Sequence, residues 1–174
     1  MKWNVAILLC CSVALGQSSS KAVQHLPEAL TSVLAEVKAK SHLEVLLPSE
    51  LPHPFGEAKY AIVESASQIE YGISLYYKLD VGDSGFAAFF SANGHPGYGP
   101  KDIPNVREVK LSHGLVGYFR EVSCGGSCAP ANLWWEEDHV LYSLQLRLRP
   151  DLPDKDQQRE MIAVANSAIL AGPR

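Results

Sequence analysis

Apolar positions recur along this chain in two periods. Leu26, Leu30, Val33, Leu34 and Val37 fall at i, i+4, i+7, i+8 and i+11, one face of a helix with 3.6 residues per turn. Pro27 suits the first turn, where a missing N–H costs nothing. Glu28 at the start and Lys38 and Lys40 at the end complement the helix dipole. The pattern predicts a helix over about Pro27 to Lys40. Val45 to Pro54 follows with three prolines, Pro48, Pro52 and Pro54. They forbid a helix or a central strand, so this is an extended lead-in tied down by Val45, Leu47 and Leu51.

The period then changes to two. Lys59 to Glu64 is a first strand. Tyr71, Ile73, Leu75, Tyr77 and Leu79 alternate with Gly72, Ser74, Tyr76 and Lys78, which predicts a strand with one core face and one mostly open face. A turn over Asp80 to Gly85 leads to Phe86–Ser91, apolar on both faces and read as buried on both sides. Asn93 to Asn105 has no period, holds three glycines and three prolines, and is long for a compact domain. Val106–Leu111 and Leu115–Val122 form a hairpin around Ser112-His113-Gly114. Leu133–Glu136 and Val140–Arg149 form another around Glu137-Asp138-His139. Pro150 and Pro153 end the strands. Asp154 as N-cap, Gln157 completing a capping box and Gly172 as C-cap bound a last helix with the stripe Met161, Ile162, Ala165, Ala168 and Ile169. Strands without βαβ alternation predict an α+β fold. It has an antiparallel sheet of six or seven strands, with an N-terminal and a C-terminal helix packed on it.

The first sixteen residues obey neither period. Met1-Lys2 is a positive start, Trp3–Leu15 is almost wholly apolar, and Ala14-Leu15-Gly16 supplies small residues for cleavage before Gln17. This is the pattern of an export signal. The expected organisation is a cleaved signal at 1–16, a flexible leader at 17–24 and a single domain at 25–172. Cleavage leaves 158 of the 174 residues, enough for a core without staples. It removes one positive charge, Lys2, and leaves 14 Lys+Arg against 19 Asp+Glu. That balance argues against nucleic acid as a partner. No later apolar run reaches the roughly 20 residues of a membrane helix. The expected location is extracytoplasmic, periplasmic or secreted, with no membrane span after cleavage.

Export decides how the cysteines read. Cys10 and Cys11 lie in the signal, so Cys124 and Cys128 are the only pair left, and an isolated pair in an oxidising compartment should form a disulfide. Gly125 and Gly126 let the chain bend between them. The spacing does not fit a redox dithiol, and two thiols alone do not make a zinc site. The six histidines show no metal-ligand spacing, so no metal and no cofactor is expected. No catalytic constellation stands out either. The aromatics carry the binding hint. Trp134 and Trp135 are neighbours on a strand and must point to opposite faces, Tyr76 stands on a polar face, and Tyr98 lies in the long loop. A meeting of Tyr76, Tyr98 and one of Trp134 or Trp135 would line a groove for a ligand.

Three groups of residues carry a resemblance. They are Leu46-Leu47-Pro48-Ser49-Glu50-Leu51-Pro52 ahead of the strands, Val116-Gly117-Tyr118-Phe119, and Leu133-Trp134-Trp135-Glu136 leading to Tyr142-Ser143-Leu144 and Ala165-Asn166-Ser167-Ala168. Together they resemble extracytoplasmic bacterial domains of the kind attached to anti-sigma factors, across most of residues 45–170. The architecture is more distantly similar to lipoprotein-carrier half-barrels, which implies a lipid-binding concavity. The chain departs from the anti-sigma arrangement in having no cytoplasmic domain and no internal membrane helix. The expected function is a non-enzymatic module that binds a lipid, a glycan or an envelope protein. The alternative is a small extracytoplasmic hydrolase or thiol enzyme that gathers His95, His113, Glu136 or Cys124 into one cleft.

Overall fold

Two helices pack on one face of a seven-stranded antiparallel sheet. The computed structural model describes residues 26–79, 85–97 and 99–174; the expected signal, the leader, Tyr98 and most of the turn after the second strand lie outside them. Helix α1 is Glu28–Lys40 and helix α2 is Asp154–Ala171. The strands are β1 (Tyr60–Ser67), β2 (Glu70–Tyr76), β3 (Phe86–Asn93), β4 (Arg107–Lys110), β5 (Val116–Arg120), β6 (Ser123–Cys124), β7 (Cys128–Ala129), β8 (Ala131–Glu137) and β9 (Val140–Leu146). The sheet order is β1-β2-β3-β9-β8-β5-β4, and β6 and β7 form a separate two-stranded ribbon.

Pairing register sorts the side chains by face, because partners across a ladder share a face and neighbours along a strand do not. Tyr71, Ala92, Tyr142, Trp135 and Gly117 form one row across the sheet; Ile73, Phe90, Leu144, Leu133 and Phe119 form the next. Both rows lie beneath the helices and join one apolar cluster with Leu30, Val33 and Val37 of α1 and Met161, Val164, Ala165 and Ala168 of α2. The small alanines of α2 let its backbone come close to β8 and β9.

Polar side chains hold the irregular segments to this core. The lead-in Ser41–Pro54 has no ladder of its own. Its backbone is met by the Tyr71 hydroxyl at the Leu46 N–H, 3.1 Å, and by the Tyr142 hydroxyl donating to Glu44 O, 3.2 Å. The Ser167 hydroxyl of α2 accepts from the Glu50 N–H at 2.9 Å. Asn166 Oδ1 accepts the Ser112 N–H at 2.7 Å, tying the β4–β5 turn to the same helix. Burial pushes the Tyr71 and Tyr142 hydroxyls far above the usual phenol range, so both stay neutral, Tyr71 accepting the Leu46 N–H and Tyr142 donating to Glu44 O.

Four sequence expectations change in detail. Helix α2 has Pro153 at its N-cap position, not Asp154, and no side chain caps it. Gln157 does not close a capping box. It is buried, its Oε1 accepts the Val122 N–H at 2.9 Å, and its Nε2 donates to Leu152 O at 2.8 Å. Strand β2 ends at Tyr76, and on its second face the small residues Gly72 and Ser74 are buried beside Phe89 while Tyr76 stays part-exposed. Conversely Phe86 and Phe89 of β3 are only half-buried, because no helix covers their side of the sheet.

Gln157 is the most direct of these devices to test. Gln157→Leu keeps the volume and strands two backbone groups, each costing about 1–3 kcal/mol when buried unpaired. The variant is expected to lose about 2–4 kcal/mol in urea unfolding, with an unchanged slope. A loss under 1 kcal/mol refutes the pinning role.

Candidate functional site

The face opposite the helices carries the second set of register partners. One row reads Gly72, Ser91, Ser143, Trp134 and Tyr118; the next reads Ser74, Phe89, Gln145, Asn132 and Arg120. The two adjacent tryptophans divide accordingly. Trp135 enters the core, 3% exposed and stacked on Tyr142 with ring centroids 5.5 Å apart. Trp134 points the other way. It is still only 9% exposed, because the loop after β3 folds over it: Trp134, Tyr118 and Leu141 make a small second cluster closed by Ile103 and Val106. The Arg120 guanidinium sits 5.3 Å from the Trp134 ring centroid, and Lys101 Nζ sits 5.9 Å from that of Tyr118. The long loop is therefore a cover for half of the helix-free face.

The other half stays open. Tyr60 pairs with Tyr76, Tyr76 with Phe86, Ile62 with Ser74, and Ser74 with Phe89. Tyr76 meets Phe86 edge-on, with ring centroids 6.1 Å apart, and donates its hydroxyl to Glu64 Oε1 at 3.2 Å. The Phe89 ring lies across Gly72, where an added Cβ would come within 3.0 Å of it. That close approach is why position 72 carries no side chain. Tyr60 is 43% exposed and Ile62 38%. The result is a contiguous apolar patch across β1, β2 and β3. Beside it lies a cleft of about 620 Å³, lined by Tyr76, Phe86, Val122, Pro130, Arg147 and Leu148. The β6–β7 ribbon forms part of its wall through Ser127, Cys128 and Ala129.

The aromatics expected to meet are thus only partly together. Tyr76 belongs to the open patch, Trp134 to the covered cluster and Trp135 to the core. Two strands and four residues along β2 separate Tyr76 from the Trp134 row, roughly 20 Å between Cα atoms. Tyr98 lies outside the described residues. Tyr60, Ile62, Phe86 and Phe89 are the members that sequence reasoning missed. The signal was present in Tyr60-x-Ile62, which lies opposite Tyr76 and Ser74 of β2, with Phe86 and Phe89 opposite those on β3, but alternation within single strands does not say which strands are neighbours.

Cys124 and Cys128 form the disulfide, cross-linking partners in the β6–β7 ladder with Cα atoms 4.0 Å apart. The ribbon is exposed along its whole length. It continues from the Arg120 end of β5 and the Ala131 end of β8, whereas His113 and Glu136 lie toward the opposite end of those strands. Cys124 therefore has no free thiol, and neither His113 nor Glu136 is at hand for thiol chemistry. Among the described residues no group of three metal-ligating side chains comes together.

One titratable group at that opposite end is perturbed. Glu137 Oε2 is occluded and accepts no hydrogen bond from a described residue. Burial, with Asp138 and Glu44 nearby, pushes its carboxyl above the usual range, and His113 offsets this in part. A carboxyl with a higher pKa in the folded state holds its proton more tightly there. Its stabilising contribution is full below the ordinary carboxylate range and is lost as pH rises through the raised value. Glu137→Gln is expected to raise Tm at pH 7 and to leave it unchanged near pH 3. An equal Tm for variant and parent at pH 7 refutes the strain at Glu137. No protein-family model, no curated protein and no solved structure matches this chain.

Proposed function

We propose that this chain is an exported, non-enzymatic binding module that holds its partner on the helix-free face of the sheet. One observation carries the reading. Tyr60, Ile62, Tyr76, Phe86 and Phe89 form a single apolar surface on the side that no helix covers, with the cleft at its edge. Contiguous exposed apolar surface beside a groove marks binding sites more often than chance exposure does. A lipid, a glycan or an envelope protein would each use such a face. The scarcity of hydrogen-bonding groups between the aromatics favours an apolar or amphipathic partner over a glycan. Export is supported by the composition of residues 1–16 and by the exposed disulfide, which persists in oxidising compartments. Among the described residues no helix is long and apolar enough to cross a membrane. The likeness of residues 45–170 to extracytoplasmic bacterial domains agrees with this location.

The dye ANS tests the surface. The native protein is expected to bind it, and the double variant Tyr60→Ser, Ile62→Ser to bind it at least about fivefold more weakly, since removing this apolar surface costs roughly 1 kcal/mol of binding. Both positions are exposed, so Tm should move little. No binding, or equal binding by the variant, refutes the assignment of this face. Export makes a separate prediction: intact mass of the secreted chain begins at Gln17, and a chain that retains Met1 overturns the cleavage.

A further inference from the structure

We infer that the outer edge of β1 takes an extended segment of another protein as an eighth strand, with apolar side chains of that segment seated on Tyr60 and Ile62. The inference rests on the helix-free face being the binding surface, and it names the partner's chemistry and the way it docks. β1 ends the sheet order and, among the described residues, pairs with β2 alone. It offers eight residues of extended backbone whose outer N–H and C=O groups have no ladder partner there. The two edges of the sheet are treated differently. β4 is four residues long and reads Arg107-Glu108-Val109-Lys110, short and charged in the manner that blocks pairing. β1 is twice that length, contains no lysine, arginine or proline, and places Tyr60 and Ile62 on one face with over a third of each exposed. A single irregularity between Val63 and Ser65 is its only interruption.

The recognition code follows from that face. Tyr60, Ile62 and Glu64 present apolar, apolar and acidic side chains in succession on the helix-free side. Glu64 is placed there by the hydrogen bond it accepts from Tyr76. A strand added beside β1 matches it with two apolar residues and one lysine or arginine at alternate positions. An antiparallel partner carries the basic residue first, a parallel partner carries it last. The main-chain ladder supplies affinity and these alternate contacts supply selectivity. A second copy of this chain fits less well. Registers that overlap most of β1 with itself bring the two Glu64 carboxylates opposite or diagonal to one another, and like charges there destabilise the pair.

Selection of random octapeptides against the full chain, followed by NMR mapping, tests this. The expected winners alternate apolar and polar residues and carry one basic residue. Their backbone amides show cross-strand contacts to β1. N-methylation of the amides that face β1 weakens binding about tenfold or more, as loss of several ladder bonds requires, while methylation of the outward amides does not. In selections against Glu64→Gln the basic preference disappears. Winners that bind the Tyr76–Phe89 face but tolerate methylation at every amide overturn strand addition and leave the binding face standing. The absence of any winner overturns it too, as does concentration-dependent dimerisation through β1. In those two cases ANS binding decides separately whether the face is a binding surface.

Discussion

Burial of one sheet face beneath both helices is the constraint on which the rest of this structure depends. The sheet has two faces and the chain has only two α-helices among the described residues. Leu30, Val33 and Val37 of α1 and Met161, Val164 and Ala168 of α2 all enter one cluster with Ile73, Phe90, Leu144 and Leu133. Each large side chain among them is worth about 2–5 kcal/mol against alanine, so the shared cluster dominates stability. Placing both helices on the same side leaves the other side to find its own cover.

That second face is solved in halves. Over β5, β8 and β9 the loop after β3 brings Ile103 and Val106 down on Trp134, Tyr118 and Leu141. Over β1, β2 and β3 nothing described comes down, and Tyr60, Ile62, Tyr76, Phe86 and Phe89 remain at the surface. The division explains how one strand can carry a tryptophan in each direction without exposing either. It also gives the long loop a structural task. The polar side chains of α2 serve the same end: Gln157, Asn166 and Ser167 each meet backbone groups of segments that have no ladder, which lets those segments seal the margins of the core.

Local turn chemistry is less ideal than the strands it joins. Asp138 and His139 both hold positive φ, 50° and 65°, in the two-residue β8–β9 turn, and His113 does so at 57° in the β4–β5 turn. Asparagine and glycine adopt that backbone at lower cost. Glu137, with its raised carboxyl, adjoins the first of these turns. The cost is local, and the core is large enough to carry it.

The disulfide was legible because the export pattern of residues 1–16 leaves Cys124 and Cys128 as one isolated pair. Periodicity, with the absence of βαβ alternation, determined both helices, the two hairpins and the antiparallel class, because each depends on residues close in sequence. The C-terminal stripe Met161, Ala165, Ala168 and Ile169 and the alternation Val140 to Leu148 were legible for that reason, and so was the division of Trp134 from Trp135. What the sequence could not determine was adjacency. The strands between Val109 and Leu148 read alike as amphipathic, but only their lateral order, with β9 between β3 and β8, decides which rows of side chains meet. That order separated Tyr76 from Trp134 and joined it to Tyr60 and Phe86. The role of Gln157 was hidden for the same reason: its partner at Val122 is 35 residues away. Helix and strand periods are local properties of the chain; the open patch is a property of which strands lie side by side and of which face the helices cover.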